Sequence, residues 1–266
     1  MSYPNYHKAI LSHTIFPENI LKSFYGHEII IYLNAKTGQL TKSTNNCERF
    51  FAFEGWFSQD CEKLLCAEYE TKFSIFSRSL SKHARGKKHN LPNITPVNIS
   101  TIFKLFAYQQ LRDSGHTLAL ADKFRLFPSR PFCRSLQNQL IADEFNFSFL
   151  SSSLEKSFTP KIWLNYSDLK FVAINTPIKK HYPDGSVILF TASPYLAIAL
   201  FPKDMFSSSD STSANIEILD NTKLDFVHEI NSLLVAHAIT YSPNIVLGQD
   251  KEYLFATWGQ VKGRLI

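Results

Sequence analysis

The apolar residues of this chain change their period once, near the middle, and that change limits the folds open to it. In the first half Leu65, Tyr69, Phe73, Phe76 and Leu80 recur three and four apart, and Ile99, Ile102, Phe103, Phe106 and Leu111 mark the buried face of a further helix. That spacing lines one side of a helix. In the second half they gather in short runs, Lys161 to Tyr166, Lys170 to Ile174, Val187 to Phe190 and Tyr195 to Phe201, punctuated by Pro177, Pro183, Asp184-Gly185 and Pro194. Short apolar runs bounded by Pro and Gly read as strands. A helix-rich first half and a strand-rich second half predict an α+β fold. The 266 residues suit one domain over 1–266, divisible into a helical part at 1–150 and a β-rich part at 151–266. With 44% hydrophobic and 19% charged residues the chain is not intrinsically disordered, and 23 Phe supply a large aromatic core.

Local signals sharpen this outline. Pro17 and Glu18 fit the first turn of a short helix carrying Ile20, Leu21 and Phe24, with Gly26 just past its end. Glu28 to Leu33 reads as a strand, the Asn34-to-Gly38 stretch as a turn, and Gln39 as the start of the returning strand of a hairpin. Thr95-Pro96 opens the clearest helix, a capping Thr followed by Pro at the first helical position, with Gly115 as its stop. A shorter helix is expected around Leu136 to Phe145. Ser79 to Asn90 lacks apolar periodicity and reads as a basic surface loop. Ser207 to Asn215 is Ser-rich and reads as a mobile loop. A helix over about Leu224 to Tyr241 puts Val227, Ile230, Leu234, Ala238 and Tyr241 on one face and is stopped by Pro243. Ile245 to Leu247 and Tyr253 to Ala256 read as short strands.

Several function classes fall away. Only 9 Gly, none in a Gly-x-Gly-x-x-Gly array, argue against a dinucleotide-binding design. Phosphate-binding Gly-x-x-x-x-Gly-Lys loops, Gly-x-Ser-x-Gly elbows and His-Glu-x-x-His helices are missing. Cys47, Cys61, Cys66 and Cys133 form no Cys-x-x-Cys pair, so no zinc site is assigned. So few cysteines, and an N-terminus without an apolar leader, suggest a reducing cytoplasm. The longest apolar run, Tyr195 to Phe201, is far short of the roughly 20 residues of a membrane span. Net charge is +5, compatible with a nucleic-acid partner.

Taken in order, these segments resemble the domain-of-unknown-function family numbered 4238. That family opens with a His-His-x-x-Pro-x-x-x-Leu-x-x-Phe pattern, and His13, Pro17, Leu21 and Phe24 look like it. Ile29 to Gly38 and Phe50-Phe51 look like the strand, Lys-Thr-Gly turn and aromatic pair that follow. Glu62 to Leu80 and Gln109 to Arg112 resemble its next two helices. Ile174-Asn175-Thr176-Pro177 looks like its Ser-Asp-Asn-Pro turn, Ser193-Pro194 to Phe201 like its Ser-Pro strand, and Asn231 with Ala238 like its closing helix. The likeness runs from about His13 to Tyr241. It departs at Thr14, where the family has the second His, and at Asn175, where the family has Asp. The family has no settled activity, so the resemblance implies a fold more than a reaction.

The candidate catalytic residues are His13, Arg112 and Asn175. The His-x-x-x-Pro entry to a helix resembles the histidine segment of metal-dependent His-Asn-His nucleases, which would make His13 a general base or metal ligand. Arg112 could clamp a phosphate with two hydrogen bonds, or simply complement the end of its helix. Asn175 could orient a substrate, or shape its own turn. Candidate substrate-binding residues are Gln109, one turn before Arg112, and Lys82, Arg85, Lys87 and Lys88, dense enough to neutralise phosphates. Glu62 and Glu70 share a helix face, and a divalent metal stays open as cofactor. Asn231, beside a buried stripe, must be paired and is expected to fix a neighbouring segment to its helix. The reading these features favour is a microbial effector of toxin or phage-exclusion type acting on nucleic acid. A non-catalytic protein-interaction module, favoured by Thr14 and Asn175, and a small-molecule-binding protein are the alternatives.

Overall fold

The computed structural model describes residues 11–12, 18–24, 30–43, 53–54, 59–64, 69–88, 90–112, 138–139, 144–183, 185–205, 215–241 and 245–265. Its centre is a five-stranded sheet built from β5 (Phe158–Asn165), β6 (Ile178–Tyr182), β7 (Gly185–Ser193), β8 (Leu196–Pro202) and β9 (Asn215–Leu219), in the order β6-β7-β8-β5-β9. All neighbours are antiparallel except β5 and β9. The sequence of β8, Leu-Ala-Ile-Ala-Leu, shows why the sheet can be covered on both sides. Side chains alternate faces along a strand, so the large residues Leu196, Ile198 and Leu200 share one face with Ile162, Leu164, Ile188 and Phe190. Ala197 and Ala199 share the other with Trp163, Val187 and Leu189.

The first face is covered by helices of the N-terminal half. α1 (Glu18–Phe24) is tied to β7 by the Ser23 hydroxyl, which donates to the Ala192 carbonyl at 3.0 Å. Beyond α2 (Gln59–Leu64), α3 (Thr71–Arg85) buries Phe73, Phe76, Leu80 and Ala84. α4 (Pro96–Arg112) buries Ile102, Phe103, Phe106 and Tyr108, with Phe106 meeting Phe190 edge-on at 6.2 Å. Thr95 does cap α4: its hydroxyl accepts from the Asn98 amide at 3.3 Å, and Asn98 Oδ1 accepts in return from the Thr95 amide at 3.0 Å. α5 (Glu144–Ser157) leads into β5.

The second face is covered by α6 (Leu224–Thr240) and α7 (Lys251–Leu265). An antiparallel sheet of β2 (Ile30–Asn34), β3 (Gln39–Ser43) and β10 (Ile245–Gly248), in the order β10-β2-β3, serves both cores: Leu33 and Val246 join the second, Ile30, Tyr32, Ile245 and Leu247 the first. The hairpin expected at Asn34 to Gly38 forms: Asn34 Oδ1 accepts from the Lys36 and Thr37 amides, and Gly38 has φ +78°. A Cβ at Gly38 would lie 2.3 Å from the Trp258 ring of α7, whose indole N–H donates to the Ala35 carbonyl at 2.6 Å. A further pair joins β1 (Leu11–Ser12) and β4 (Phe53–Glu54). Because β2 pairs with β10, and α3 packs on strands of the second half, the described residues of 1–150 and 151–266 share their cores.

The α+β class stands, and several element boundaries are corrected. Ser79 to Arg85 is helix, because Leu80 and Ala84 continue the buried stripe and the basic residues suit the helix C-terminus. The basic stretch is a loop only from Gly86. Tyr253 to Ala256 belongs to α7, capped by Asp250, whose carboxylate accepts from the Tyr253 amide at 3.0 Å. Its buried residues Leu254, Thr257 and Val261 follow a helical period that contains one polar member and two exposed glycines. Lys170 to Ile174 is not a ladder strand; it makes one bridge, Ala173 to Leu247. Asn215 opens β9 rather than ending a loop, and β6 carries Lys-Lys-His in a strand exposed at the sheet edge. α5 starts one residue before the point where the shorter helix was expected to end; of Leu136 to Glu144, only 138–139 and Glu144 lie within the described residues. Cys47, Cys66, Cys133, Gly115 and 207–214 lie outside them, whereas Cys61 is buried and its thiol donates to the Asn138 carbonyl at 3.2 Å. Tyr241 leaves the buried face of α6, because the chain turns extended there and exposes its ring.

Candidate functional site

The end of α3 and two connections of the large sheet meet at one basic corner. α3 finishes with Lys82, His83 and Arg85; Gly86 and Lys87 turn the chain, with Lys87 in the left-handed region at φ 45°. Facing them is the 166–170 connection that follows β5. Its shape is set by the fully buried Asn165. The Asn165 Oδ1 accepts from the Ser167 amide at 3.0 Å and hydroxyl at 2.6 Å, and its Nδ2 donates to the Leu169 and Pro194 carbonyls at 2.8 and 3.3 Å. One asparagine thus joins this connection to the β7–β8 turn. The Ser81 and Ser193 hydroxyls lie 2.7 Å apart and link α3 to the same turn, and the Tyr166 hydroxyl donates to the Lys88 carbonyl at 2.7 Å.

Tyr195, at the tip of that turn, carries two cations. The Arg85 guanidinium lies 5.5 Å from its ring centre and the Lys170 ammonium 4.7 Å. Lys170 also donates to the Ser167 carbonyl. Burial pushes the Lys170 amine below the usual lysine range, with Lys87 and Arg85 adding to that effect and Tyr195 and Asp168 opposing it. Lys87 is 3.8 Å from Asp168, in a pair exposed on both sides, which stabilises little. Lys82 and Lys88 are exposed beside this group.

Elsewhere the polar clusters have structural explanations. Asn231 on α6 is fully buried; its Oδ1 accepts from the Val172 amide at 2.9 Å and its Nδ2 donates to the Lys170 carbonyl at 2.9 Å and the Tyr253 hydroxyl at 3.1 Å. It therefore fixes the segment carrying Lys170 to the helix, the role its buried position predicts. Burial pushes the Tyr253 hydroxyl up, and that hydroxyl also meets His228 Nδ1 at 2.9 Å. Glu70 accepts from the Tyr108 hydroxyl at 2.9 Å. Among the described residues no group of three His, Cys, Asp or Glu side chains could hold a metal ion.

Of the residues singled out from sequence, Lys82, Arg85, Lys87 and Lys88 share the basic corner. Gln109 does not join them: it lies inside the core, and neither its Oε1 nor its Nε2 has a partner among the described residues. Arg112 ends α4, with its side chain outside the described residues, and His13 lies outside them altogether. Asn175 sits half-buried on the 166–177 connection. The residues that sequence reasoning missed are Lys170, Tyr195 and Asn165. In sequence Tyr195 and Lys170 each open a strand-like run, and only the tertiary approach of α3 makes them part of a site.

Set against known proteins, the chain matches no protein family, no curated sequence and no solved structure.

Proposed function

We propose that this protein binds nucleic acid through its phosphate backbone at the basic corner formed by Arg85, Lys87, Lys88, Lys170 and Tyr195, as a toxin-like or phage-exclusion effector would. The proposal includes the likeness to domain family 4238. One observation carries it: Arg85 and Lys170, from two separate elements, converge on the single ring of Tyr195. Arg85 and Lys170 carry like charges near one ring and repel, and the half-buried lysine also loses solvation. The ring's negative face offsets part of that cost, and a bound phosphate would offset the rest. Arg contributes a planar fork for phosphate oxygens, and lysines add charge around it. Such a surface reads charge rather than sequence, so binding should weaken steeply with salt.

The test is fluorescence anisotropy of the full chain with labelled 20-nucleotide single-stranded RNA and DNA, from low to moderate salt. Salt-dependent binding is expected, with Arg85→Gln and Lys170→Gln each lowering affinity about tenfold and flattening the salt slope by roughly 0.7. Binding absent at low salt, or unchanged in the Arg85→Gln Lys170→Gln double variant, would sink the proposal. Intact growth and nucleic acid on induced expression of wild type would remove the effector part alone.

A further inference from the structure

On the α6 face of the large sheet, with no residue of the basic corner in its lining, the sheet and α6 form an open cavity of about 370 Å³. Its walls follow from the two periodicities. β6 contributes alternate residues Ile178, Lys180 and Tyr182, and α6 contributes Phe226, Glu229, Ile230 and Leu233 from one helical face. The floor is Trp163, flanked edge-on by Phe226 at 5.3 Å and Phe201 at 6.1 Å. The Trp163 indole N–H is already committed, donating to Glu217 at 3.1 Å, so the indole offers the cavity only its ring.

Lys180 is the one cation among the described residues that line the cavity; Lys161, outside the lining, holds its ammonium 5.8 Å from the Trp163 ring centre. The Lys180 ammonium lies 5.0 Å from the Tyr182 ring centre. It forms a long ion pair with Glu229 at 3.8 Å, beyond hydrogen-bond distance, and Glu229 is the more exposed of the two, 62% against 38%. The charge nearer the apolar interior is therefore positive, and among the described residues no carboxylate lies within hydrogen-bond distance of it. A second cation would be repelled from this position; an anion would complete it.

We propose that this cavity binds a flat aromatic acid of one or two rings, its ring system against Trp163, Phe201 and Phe226 and its carboxylate or sulfonate on Lys180. The volume is at the small end of ligand pockets, which run from about 300 to 1,000 Å³. The aromatic edges favour a planar ligand over an aliphatic chain, because rings gain from edge-to-face contact. Lys180, a compact charge at the mouth, sets orientation.

The test is a fluorescence titration of the full chain with 8-anilinonaphthalene-1-sulfonate and with its neutral analogue N-phenyl-1-naphthylamine, followed by displacement with 1-naphthoate. Wild type should bind the anionic probe at least fivefold more tightly than the neutral one, and 1-naphthoate should displace it. Lys180→Gln should lose that preference, Lys180→Arg should keep it, and Glu229→Gln should strengthen it. Leu233→Trp, which fills the cavity, should abolish binding, while Arg85→Gln leaves it unchanged and so separates this site from the basic corner. Equal affinity for both probes in wild type, a comparison needing no variant, overturns the proposal, as does full binding by a folded Leu233→Trp protein.

Discussion

The two faces of the five-stranded sheet are made by the same strands and end with different properties. On the α3–α4 face, Ile188, Phe190, Ile198 and Leu200 meet helices rich in Phe, and the contact between Phe106 and Phe190 closes the layer. On the α6 face the matching positions are Val187, Leu189, Ala197 and Ala199. Toward β6 that face leaves an open cavity of about 370 Å³, lined by Val187 and Leu189 of β7 and Phe201 of β8. The same strands thus build one face that is filled by helices and another that keeps room. The charged features divide in the same manner. Arg85 comes from the α3 side and Lys170 from a segment held by α6, so the basic corner sits where both layers meet.

Substitutions on neighbouring residues should break this comparison if it is wrong. Phe190→Ala removes a fully packed ring and should cost about 3–5 kcal/mol in urea denaturation. Leu189→Ala, one residue away but facing the cavity, should cost only about 2 kcal/mol; equal losses would mean that both faces are packed alike. Asn231→Ala leaves the Val172 amide buried without its acceptor and should cost about 2 kcal/mol. It should also weaken nucleic-acid binding, because it frees the segment that carries Lys170; stability lost with affinity intact would separate α6 from the basic corner.

Titration sharpens the same contrast with smaller effects. Burial lowers the Lys170 pKa, so its charge, and the affinity that depends on it, is full below that lowered pKa and is lost as pH rises through it. That loss should begin below the ordinary lysine value of about 10.4. Lys170→Arg stays charged and should hold its affinity over the same range in anisotropy titrations; parallel curves for the two proteins would dismiss Lys170 as a contact. At the edge of the α6 face, burial pushes the Glu217 carboxyl up, but the hydrogen bond and charge of Lys161 at 2.8 Å, with the Trp163 indole bond, outweigh it and the pKa falls. A depressed carboxylate contributes stability above its unfolded value, about 4.3, and loses it as pH falls through the folded pKa. Glu217→Gln should cost under about 1 kcal/mol at neutral pH and less in acid, read from urea midpoints at both.

Local physics was legible from residues alone wherever it decided the outcome. Thr95-Pro96 specifies its own cap, Asn34 to Gly38 its own turn, and the stripe Phe73, Phe76, Leu80 its own helix, because each signal lies within a few residues of its effect. The +5 charge and the dense lysines and arginines after Ser79 also marked the basic surface correctly in composition, though not in conformation. α7 escaped because its buried period runs through Thr257 and its exposed side carries Gly259 and Gly263, so apolar content alone points to a short strand. Lys170 and Tyr195 escaped for a different reason. A lysine next to a strand-like run and a tyrosine after a Ser-Pro turn carry no mark of each other, and it is Asn165, Asn231 and the packing of α3 that bring them together with Arg85. Secondary structure follows from neighbours in sequence, but a site is a meeting of distant residues, and only the packed layers decide which ones meet.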